Sequence, residues 1–265
     1  MNDPVAHVFV VTGASGGLGQ AIVQALSRRA SAQNEQRHIV LVGRNRRALE
    51  AASGRAVSSS TRTYLVSDLD LGQPAVTERV MAKLREVAEP LTNPRLTLVH
   101  CAGTLGDLSK TVDCYEEHDI AAYVAVNFTS FCALTSRFLA FARAQDAPRV
   151  CVVNISSLLA VQASANWGLY AAIKAARDQL LAVVAVENTS DCRVKTLSYA
   201  PGPLDNDMQR EVRESIGDPA QQQLYAGLHA EGKLVVLDDT ATVLCELLDK
   251  WEFASGAHID IYDVL

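Results

Sequence analysis

Seven apolar runs of strand length recur along the chain, at 7–13, 38–43, 63–68, 95–103, 149–157, 194–202 and 256–263. Amphipathic stretches of helical length separate most of them, such as 17–30 and 73–88. Continuous apolar strands that alternate with helices are typical of a parallel sheet covered on both faces. The pattern therefore predicts an α/β fold: one doubly wound, Rossmann-type parallel sheet of about seven strands, forming a single domain over residues 1–265.

Two segments have patterns that differ from these continuous strands and amphipathic helices. The polar stretch 53–62 predicts a surface loop. The last run, 256–263, alternates polar and apolar residues as a half-buried strand does, which would place His258, Asp260 and Tyr262 on one side. That side is either a solvated edge with interchangeable polar groups or the wall of a cleft in which Asp260 alone is irreplaceable.

Composition limits the classes of function. The 265 residues are 49% hydrophobic and 20% charged, with a net charge of −6 and a pI near 5.5, so neither a nucleic acid nor an anionic membrane is favoured as a partner. The six cysteines form no CxxC pair and lack histidines at metal-ligand spacing, which predicts no metal site and a reducing compartment. No basic, apolar leader stands at the start of the sequence. We therefore expect a cytoplasmic protein.

A glycine-rich turn follows the first strand. Gly13, Gly17 and Gly19 are spaced Gly-x-x-x-Gly-x-Gly, between a predicted strand and a predicted helix. Glycines at this point let the backbone approach a pyrophosphate, which then lies at the helix N-terminus. Ser15 could add a hydroxyl group to a phosphate. The turn predicts dinucleotide binding, although a tight structural turn is the alternative.

The residues after the second strand indicate which dinucleotide is bound. A carboxylate there binds the ribose of NAD, whereas an arginine accommodates the 2′-phosphate of NADP. Arg44 occupies this place in "VGRNRR" (42–47), and no Asp or Glu stands nearby. NADPH/NADP+ is therefore the expected cofactor, although the arginines could also be a solvated helix start.

A tyrosine and a lysine four residues apart supply candidate chemistry. Tyr170 and Lys174 would lie on one helix face. A ketone that accepts a hydride also needs a proton donor, and a nearby ammonium would lower the pKa of a phenol. Ser157, at the end of the fifth apolar run, could return to the same cleft and orient the carbonyl group. The alternative is an ordinary surface pair on an amphipathic helix.

Taken together, these motifs resemble the short-chain dehydrogenase/reductase family. The resemblance rests on TGASGGLG (12–19), Asp68, "CAG" (101–103), Asn127, Ser157, Tyr170, Lys174 and "PGPL" (201–204). It implies that Tyr170 is the general acid, that Lys174 binds the nicotinamide ribose and depresses the tyrosine's pKa, and that Ser157 orients the substrate. It also implies that Asn127 holds the water of a proton relay.

The same resemblance implies a series of cofactor contacts along the strand ends. They are Gly13, Ser15, Gly17, Leu18, Gly19, Arg44, Asn45, Asp68, Leu69, Ala102, Gly103, Tyr170, Lys174, Pro201, Gly202, Leu204, Asn206 and Met208. Three residues depart from the family pattern, and the first is Gly16, where many NADP-preferring members carry a basic residue; this leaves the strictness of NADPH over NADH open. Cys101 stands where an asparagine is usual, and Asn206 stands where a threonine is usual.

Longer stretches are similar to a branch of the family that reduces pterins, at 102–110, 153–178, 199–209, 232–235 and 253–263. This implies NADPH-dependent reduction of the side-chain ketone of sepiapterin and related 6-acyl tetrahydropterins. Asp260 would bind the amino-pyrimidine, because a carboxylate accepts two parallel N–H groups. The substrate site would comprise Ser157, Tyr170, Leu105, Trp167, Met208 and Asp260.

Two other functions remain open. A general NADPH-dependent reductase of diketones or quinones would share the catalytic groups and would not need Asp260. A catalytically silent dinucleotide-binding sensor is the third possibility, but such proteins usually lack the tyrosine or the lysine. Amphipathic segments at 116–143 and 167–188 predict a helical face for a homodimer, and a tetramer is also compatible with them.

Overall fold

A computed structural model describes residues 5–30, 35–56, 58–73 and 75–264. The ends of the predicted domain 1–265, residues 31–34, and positions 57 and 74 of the predicted loop and helix lie outside the described residues. The strands are β1 (Val5–Thr12), β2 (Glu35–Val42), β3 (Thr61–Val66), β4 (Arg95–His100), β5 (Val150–Ile155), β6 (Val194–Ala200) and β7 (Ala257–Asp260). The helices within these ranges are α1 (Gly17–Ala30), α2 (Arg46–Arg55), α3 (Val76–Ala88), α4 (Glu117–Val124), α5 (Ser130–Ala144), α6 (Gly168–Glu187), α7 (Asp207–Ser215), α8 (Pro219–Ala230) and α9 (Leu237–Lys250).

All seven strands are parallel and form one sheet in the order β3-β2-β1-β4-β5-β6-β7. The predicted doubly wound sheet is confirmed. The order reverses between β1 and β4, and ligands of such sheets bind outside the carboxyl ends of the strands at this point. The carboxyl edge is therefore where functional side chains should gather.

Successive residues of the central strands are buried on opposite faces. In β1, Phe9 and Val11 pack in the core shared with α1 and α9, whereas Val8 and Val10 pack in the core shared with α3 and α5. Burial on both faces explains why the strands read as continuous apolar runs.

The predicted loop at 53–62 is shorter than expected. α2 continues to Arg55 and β3 begins at Thr61, because Leu49 and Ala52 bury one face of an otherwise polar helix. Few apolar residues are enough to hold a polar helix against a sheet.

The end of the chain also differs from its prediction. β7 stops at Asp260, and Ile261–Asp263 form a 3-10 turn. Asp260 Oδ1 accepts the N–H of Tyr262 at 3.1 Å, and Asp263 Oδ2 accepts the N–H of Asp260 at 2.9 Å. This reciprocal cap ends the strand. The prediction that Tyr262 continues the strand beside His258 is therefore wrong, and Tyr262 is 60% exposed.

α4 and α5 join through a π-helical turn at Ala125–Thr129 into one helix of 28 residues. Its length and composition alone would suit a membrane span. The core helices of soluble proteins can have the same length and composition. Here Phe131 and Phe138 are buried in the core beside the sheet. π turns are frequent at functional sites, and this one contains Asn127.

Candidate active site

The glycine turn packs too closely for side chains. A Cβ on Gly19 would lie 2.2 Å from the carbonyl oxygen of Gly13, and a Cβ on Gly13 would lie 2.9 Å from Ala102. Gly13 and Gly17 have positive φ angles of 71° and 51°, which favour glycine. The turn thus brings the start of α1 against the end of β4 and leaves the helix N-terminus open to an anion.

Ser15 packs against Gly43, which directly precedes Arg44 at the adenosine end of the predicted site. The Ser15 hydroxyl is 3.2 Å from the position of a Cβ on Gly43, one residue before Arg44. Arg44 is exposed and lines an open cleft of about 600 Å³. Asn45 caps α2, because its side chain accepts the N–H of Ala48 at 3.1 Å. The side-chain oxygen of Asn45 is thus engaged in this cap.

Two of the predicted contact residues have buried side chains. Leu18 and Leu69 are 6% and 2% exposed and pack in the two cores of the sheet. Their side chains face away from the cleft because apolar residues at the start of α1 and after β3 complete those cores. Any contact with a dinucleotide would come from their backbones. Asp68 is exposed with a φ of 55°, so its backbone turns away from β3 at the edge of the sheet.

β1 and β4 are joined at their carboxyl ends by Thr12. Its Oγ1 accepts the N–H groups of Cys101 and Ala102, both at 3.2 Å. Cys101 therefore needs no side-chain hydrogen bond to hold this junction. The junction places Gly103 beside Asn127, whose Oδ1 is 3.3 Å from the position of a Cβ on Gly103.

Asn127 holds the next loop in place. Its Oδ1 accepts the N–H of Thr104 at 2.9 Å, and its Nδ2 donates to Thr104 Oγ1 and to the Tyr123 carbonyl, both at 3.0 Å. Three of the four hydrogen-bonding positions of the amide are thus used inside the protein. One acceptor position remains for the water implied by the family resemblance. Thr104 and Tyr123 support this arrangement and were not predicted.

Ser157, Tyr170 and Lys174 come together at the carboxyl end of β5. Ser157 lies two residues beyond the strand and caps a short 3-10 turn, accepting the N–H of Leu159 at 3.2 Å. Lys174 Nζ donates to the carbonyl of Ile155, the last residue of β5, at 2.6 Å, and lies 5.3 Å from the centre of the Tyr170 ring. The predicted catalytic set is therefore assembled on α6 and the loop before it.

The expected lowering of the Tyr170 pKa by Lys174 stays a prediction, because burial is the largest influence on both groups in the protein alone. Burial raises the pKa of Tyr170 to about 12, and the hydrogen bond with Ser157 and the charge of Arg177 oppose this shift. Burial also lowers the pKa of Lys174 to about 7. Both groups lie where charge is poorly solvated, which disfavours the charged form of each. Arg177 was not predicted.

An apolar cluster forms the substrate side of the cleft. Leu105, Leu108, Trp167, Val212 and Ile216 are its buried members, and Met208 and Tyr170 pack against it. The Trp167 ring is edge-on to Tyr170, with centres 5.2 Å apart. Its indole N–H is buried and has no hydrogen-bond partner among the described residues, which leaves a donor for a bound molecule.

Tyr225 of α8 extends this aromatic wall and was not predicted. Its ring lies 6.2 Å from that of Trp167, also edge-on. Only the packing of α8 over the loop that contains Trp167 reveals this contact. The predicted Leu105, Trp167 and Met208 are therefore joined by a fourth, phenolic side chain.

The loop after β6 closes the cleft between its two sides. Gly202, with a φ of 75°, has no room for a Cβ, which would lie 2.8 Å from Val235. Leu204 pairs with Val235 in a short parallel bridge. Asn206 caps α7 by accepting the N–H of Gln209 at 2.9 Å, and its Nδ2 lies 3.9 Å from the position of a Cβ on Gly17. The amide that replaces the usual threonine thus faces the glycine turn.

Asp260 lies at the same edge, paired in register with Ala200 at the end of β6. It is partly buried, and its capping box fixes the carboxylate in one position. His258 points to α6, where its Nδ1 lies 2.7 Å from Asp178 Oδ2. That contact raises the pKa of His258. It also ties the strand that contains Asp260 to the helix that contains Tyr170.

Sequence comparison identifies relatives of this chain. A family profile described as short chain dehydrogenase matches residues 7–217. Sepiapterin reductase of Mus musculus is 40% identical over 262 residues, which cover 97% of each chain. A benzil reductase of Bacillus cereus, which forms (S)-benzoin, is 25% identical over 95% of this chain and 98% of its own.

Solved structures share the fold. The enzyme KRED1-Pglu matches with a TM-score of 0.81 at 23% identity, covering 96% of this chain and all of its own. A 3-oxoacyl (acyl-carrier-protein) reductase from Agrobacterium tumefaciens with NADP bound matches with a TM-score of 0.76 at 25% identity. It covers 97% of this chain and 93% of its own.

Two glycines of the turn provide a matched test of the predicted cofactor site. We expect Gly19→Ala to raise the dissociation constant of NADPH about tenfold or more, because its methyl group would collide with the carbonyl of Gly13. Gly16→Ala is the control, since nothing lies within 4 Å of a Cβ there. Both constants can be measured by fluorescence titration. Equal binding by the two variants would contradict the proposed geometry.

Proposed function

Because this chain is a member of the short-chain dehydrogenase/reductase family, we propose that it reduces the side-chain ketone of sepiapterin and related 6-acyl pterins with NADPH. This reaction is a step of tetrahydrobiopterin synthesis. The end-to-end similarity to mouse sepiapterin reductase supports the proposal. The observation that supports it most is the carboxylate of Asp260 at the carboxyl edge of the sheet, where β7 ends.

Asp260 has the position and the acceptor capacity that a pterin needs. It is the last residue of β7, and the next residue, Ile261, lies against Gly202 of the loop that closes the cleft. An ionised carboxylate offers about four acceptor positions, and the cap of the 3-10 turn leaves some of them free. The amino-pyrimidine edge presents adjacent N–H donors, which a carboxylate accepts in parallel.

The residues of the turn fit a dinucleotide phosphate. Gly13 and Gly19 allow close backbone approach, α1 begins at this point, and Ser15 and Arg44 lie beside the adenosine end of the cleft. Arg44 has no carboxylate partner within the described residues, so its charge is available to a 2′-phosphate. When bound, NADPH supplies the hydride that the ketone receives.

The chain's own groups supply the proton and orient the substrate. Ser157 and Tyr170 present two hydroxyl donors to the carbonyl oxygen, and Tyr170 gives its proton to that oxygen as negative charge develops there. Lys174 is held by the Ile155 carbonyl, behind the tyrosine. Trp167 and Leu105 exclude water from the apolar side of the cleft. The product is a secondary alcohol.

Reduction of diketones is the second candidate. It is favoured by the similarity to benzil reductase and by the apolar cluster around Trp167, which suits an aromatic ketone. This reaction would use Ser157, Tyr170 and Lys174 in the same way. It would not depend on the charge of Asp260, and this difference separates the two candidates.

We also propose that the chain acts in the cytoplasm as a homodimer, with a tetramer as the alternative. The six cysteines are unpaired, which suits a reducing compartment. Val183 and Val186 of α6 are 41% and 75% exposed and are three residues apart on one face. They support the expectation that α6 contributes to the subunit interface.

Asp260→Asn tests the assigned substrate. Asparagine still caps a turn but has no negative charge, so we expect kcat/KM for sepiapterin to fall about 100-fold. This corresponds to about 2.7 kcal/mol and to the loss of a charge-assisted pair. The value for a simple diketone should change less than about threefold, because that substrate has no N–H edge. NADPH consumption measures both.

Asp263→Asn is the matched control, since Asp263 forms the other half of the capping box. It should leave both substrates nearly unchanged. Equal losses on sepiapterin and the diketone in Asp260→Asn would remove the reason for assigning a pterin substrate.

Sedimentation velocity tests the subunit interface. We expect the native chain to sediment as a dimer and Val186→Asp to shift it towards monomer, because a two-fold interface would bury the new charge twice. Leu224→Asp on α8, at a residue 52% exposed, should leave the dimer intact. A native monomer, or a Val186→Asp protein that sediments like the native one, would contradict the assignment.

A further inference from the structure

A carboxylate on α6 faces the sheet beside the catalytic pair. Asp178 lies four residues after Lys174 and eight after Tyr170, so the three side chains follow one another at intervals of about one turn along the helix. The Asp178 side chain is only 15% exposed. A carboxylate with so little access to water needs hydrogen-bond donors from the protein.

Those donors come from β5, from the residue after it, and from β7. Nδ2 of Asn154 in β5 donates to Asp178 Oδ1 at 2.8 Å, and the hydroxyl group of Ser156 donates to Oδ2 at 2.8 Å. Nδ1 of His258 in β7 lies 2.7 Å from the same Oδ2. Burial alone would raise the pKa of the Asp178 carboxyl group, but the hydrogen bonds with His258 and Ser156 lower it below its usual value.

The register of the sheet places these donors on the face that α6 covers. Asn154, Ser198 and His258 lie directly opposite one another in β5, β6 and β7. Opposite residues of neighbouring parallel strands point to the same face of a sheet. β5 and β7 do not pair with each other, because β6 lies between them. Asp178 therefore connects two strands that have no backbone contact of their own.

Each segment that Asp178 joins contains a group of the proposed site. Ser157, which orients the carbonyl group, follows Ser156 directly in the sequence. Asp260, the proposed pterin ligand, lies two residues after His258 at the end of β7. The proton donor is on α6 itself. The three contacts of Asp178 thus link the groups for hydride acceptance, proton donation and substrate binding.

β7 is the segment that depends most on such a link. It has four residues, lies at the edge of the sheet, and pairs with β6 alone among the described strands. None of its four residues is fully buried. An edge strand has backbone partners on one side only. The contact between His258 and Asp178 adds a side-chain link from β7 to the catalytic helix.

Asp249 is a carboxylate of similar burial that does not join parts of the cleft. Its side chain is 12% exposed and accepts from Arg29 Nε at 2.7 Å and from Arg37 Nη2 at 2.9 Å. It lies near the end of α9, and its partners are on α1 and near the start of β2. These positions are away from the carboxyl edge of the sheet. Asp249 therefore offers a matched control for the loss of a buried, hydrogen-bonded carboxylate.

We propose that Asp178 is a positioning residue for the reduction, whose carboxylate holds the ends of β5 and β7 against α6 and so fixes Ser157, Tyr170 and Asp260 relative to one another. The inference rests on the proposed reductase function and deepens it. Asp178 acts only through the residues that it holds. His258 is the part of this arrangement that serves substrate binding.

Asp178→Leu removes the acceptor and keeps a branched side chain. We expect kcat for both sepiapterin and a diketone to fall about tenfold, because Ser157 is displaced from the carbonyl group. The KM for sepiapterin should also rise about tenfold, because Asp260 is displaced, whereas the KM for the diketone should stay within about threefold. Asp249→Leu should lower stability and leave all these constants within about threefold of native. Equal effects of the two variants on the constants would overturn the proposal.

Two single substitutions separate the contacts and keep the proposal falsifiable if Asp178→Leu does not fold. His258→Phe keeps a ring but cannot donate, and should raise the KM for sepiapterin about tenfold with kcat within about threefold. Ser156→Ala should lower kcat for both substrates about fivefold and leave the KM for sepiapterin within about twofold. If the two variants change the same constant, the separate roles of the two contacts are wrong and the proposal fails.

His258→Asn is the conservative variant that should restore binding. Its amide nitrogen is attached to Cγ, as Nδ1 of histidine is, so it can donate to Asp178 from nearly the same place. We expect its KM for sepiapterin to return to within about threefold of native. A KM as high as that of His258→Phe would show that the hydrogen bond does not matter, and would overturn the role of His258.

Amide hydrogen exchange of the unliganded protein separates this inference from the proposed function. In Asp178→Leu, the amides of segments 157–163 and 257–263 should exchange about tenfold faster than in the native protein, because both segments have lost their link to α6. Asp249→Leu should leave these two segments unchanged. A native protein that shows this difference but does not reduce sepiapterin would refute the reductase assignment alone. An active protein without the difference would refute the role of Asp178 alone.

Discussion

Tyr170, Lys174 and Arg177 share one face of α6, and both cations on it donate to backbone carbonyls at the ends of neighbouring strands. Ile155, the last residue of β5, accepts from Lys174, and His100, the last residue of β4, accepts from Arg177. Strand ends provide such carbonyls because the hydrogen bonds between neighbouring strands stop there. The parallel sheet thus partly compensates two cations in a region where burial disfavours charge, and the catalytic face depends on this.

The same strand ends set the shape of the cleft around that face. Thr12 joins the end of β1 to the residues after β4, and Asn127 ties the following loop to the π turn. On the other side, Val235 holds the loop after β6, and Asp260 is the last residue of β7. Cofactor-side and substrate-side groups therefore come from different strands that finish at one edge. A small shift of α6 would disturb both sides together.

The sequence was sufficient for the sheet, the glycine turn and the catalytic set, because each has a local signature: periodicity, spacing or a residue pair on one helix face. It was insufficient where orientation depends on packing between distant segments. The side chains of Leu18 and Leu69 turn into the core, and the aromatic contact of Tyr225 exists only because α8 folds over the cleft. The raised pKa of Tyr170 depends on burial, which no spacing reveals. The end of β7 was misplaced because a capping box competes with strand alternation at Asp260.

The central claim is that Tyr170 is the proton donor of a reductase cleft. The most direct measurement is turnover of sepiapterin by Tyr170→Phe, beside NADPH affinity by fluorescence titration. The phenyl ring keeps the packing against Trp167 and removes only the acid. We expect turnover to fall by a factor of about 10² to 10⁴, with an NADPH dissociation constant within about threefold of native. Turnover by the variant within about tenfold of the native rate would contradict it.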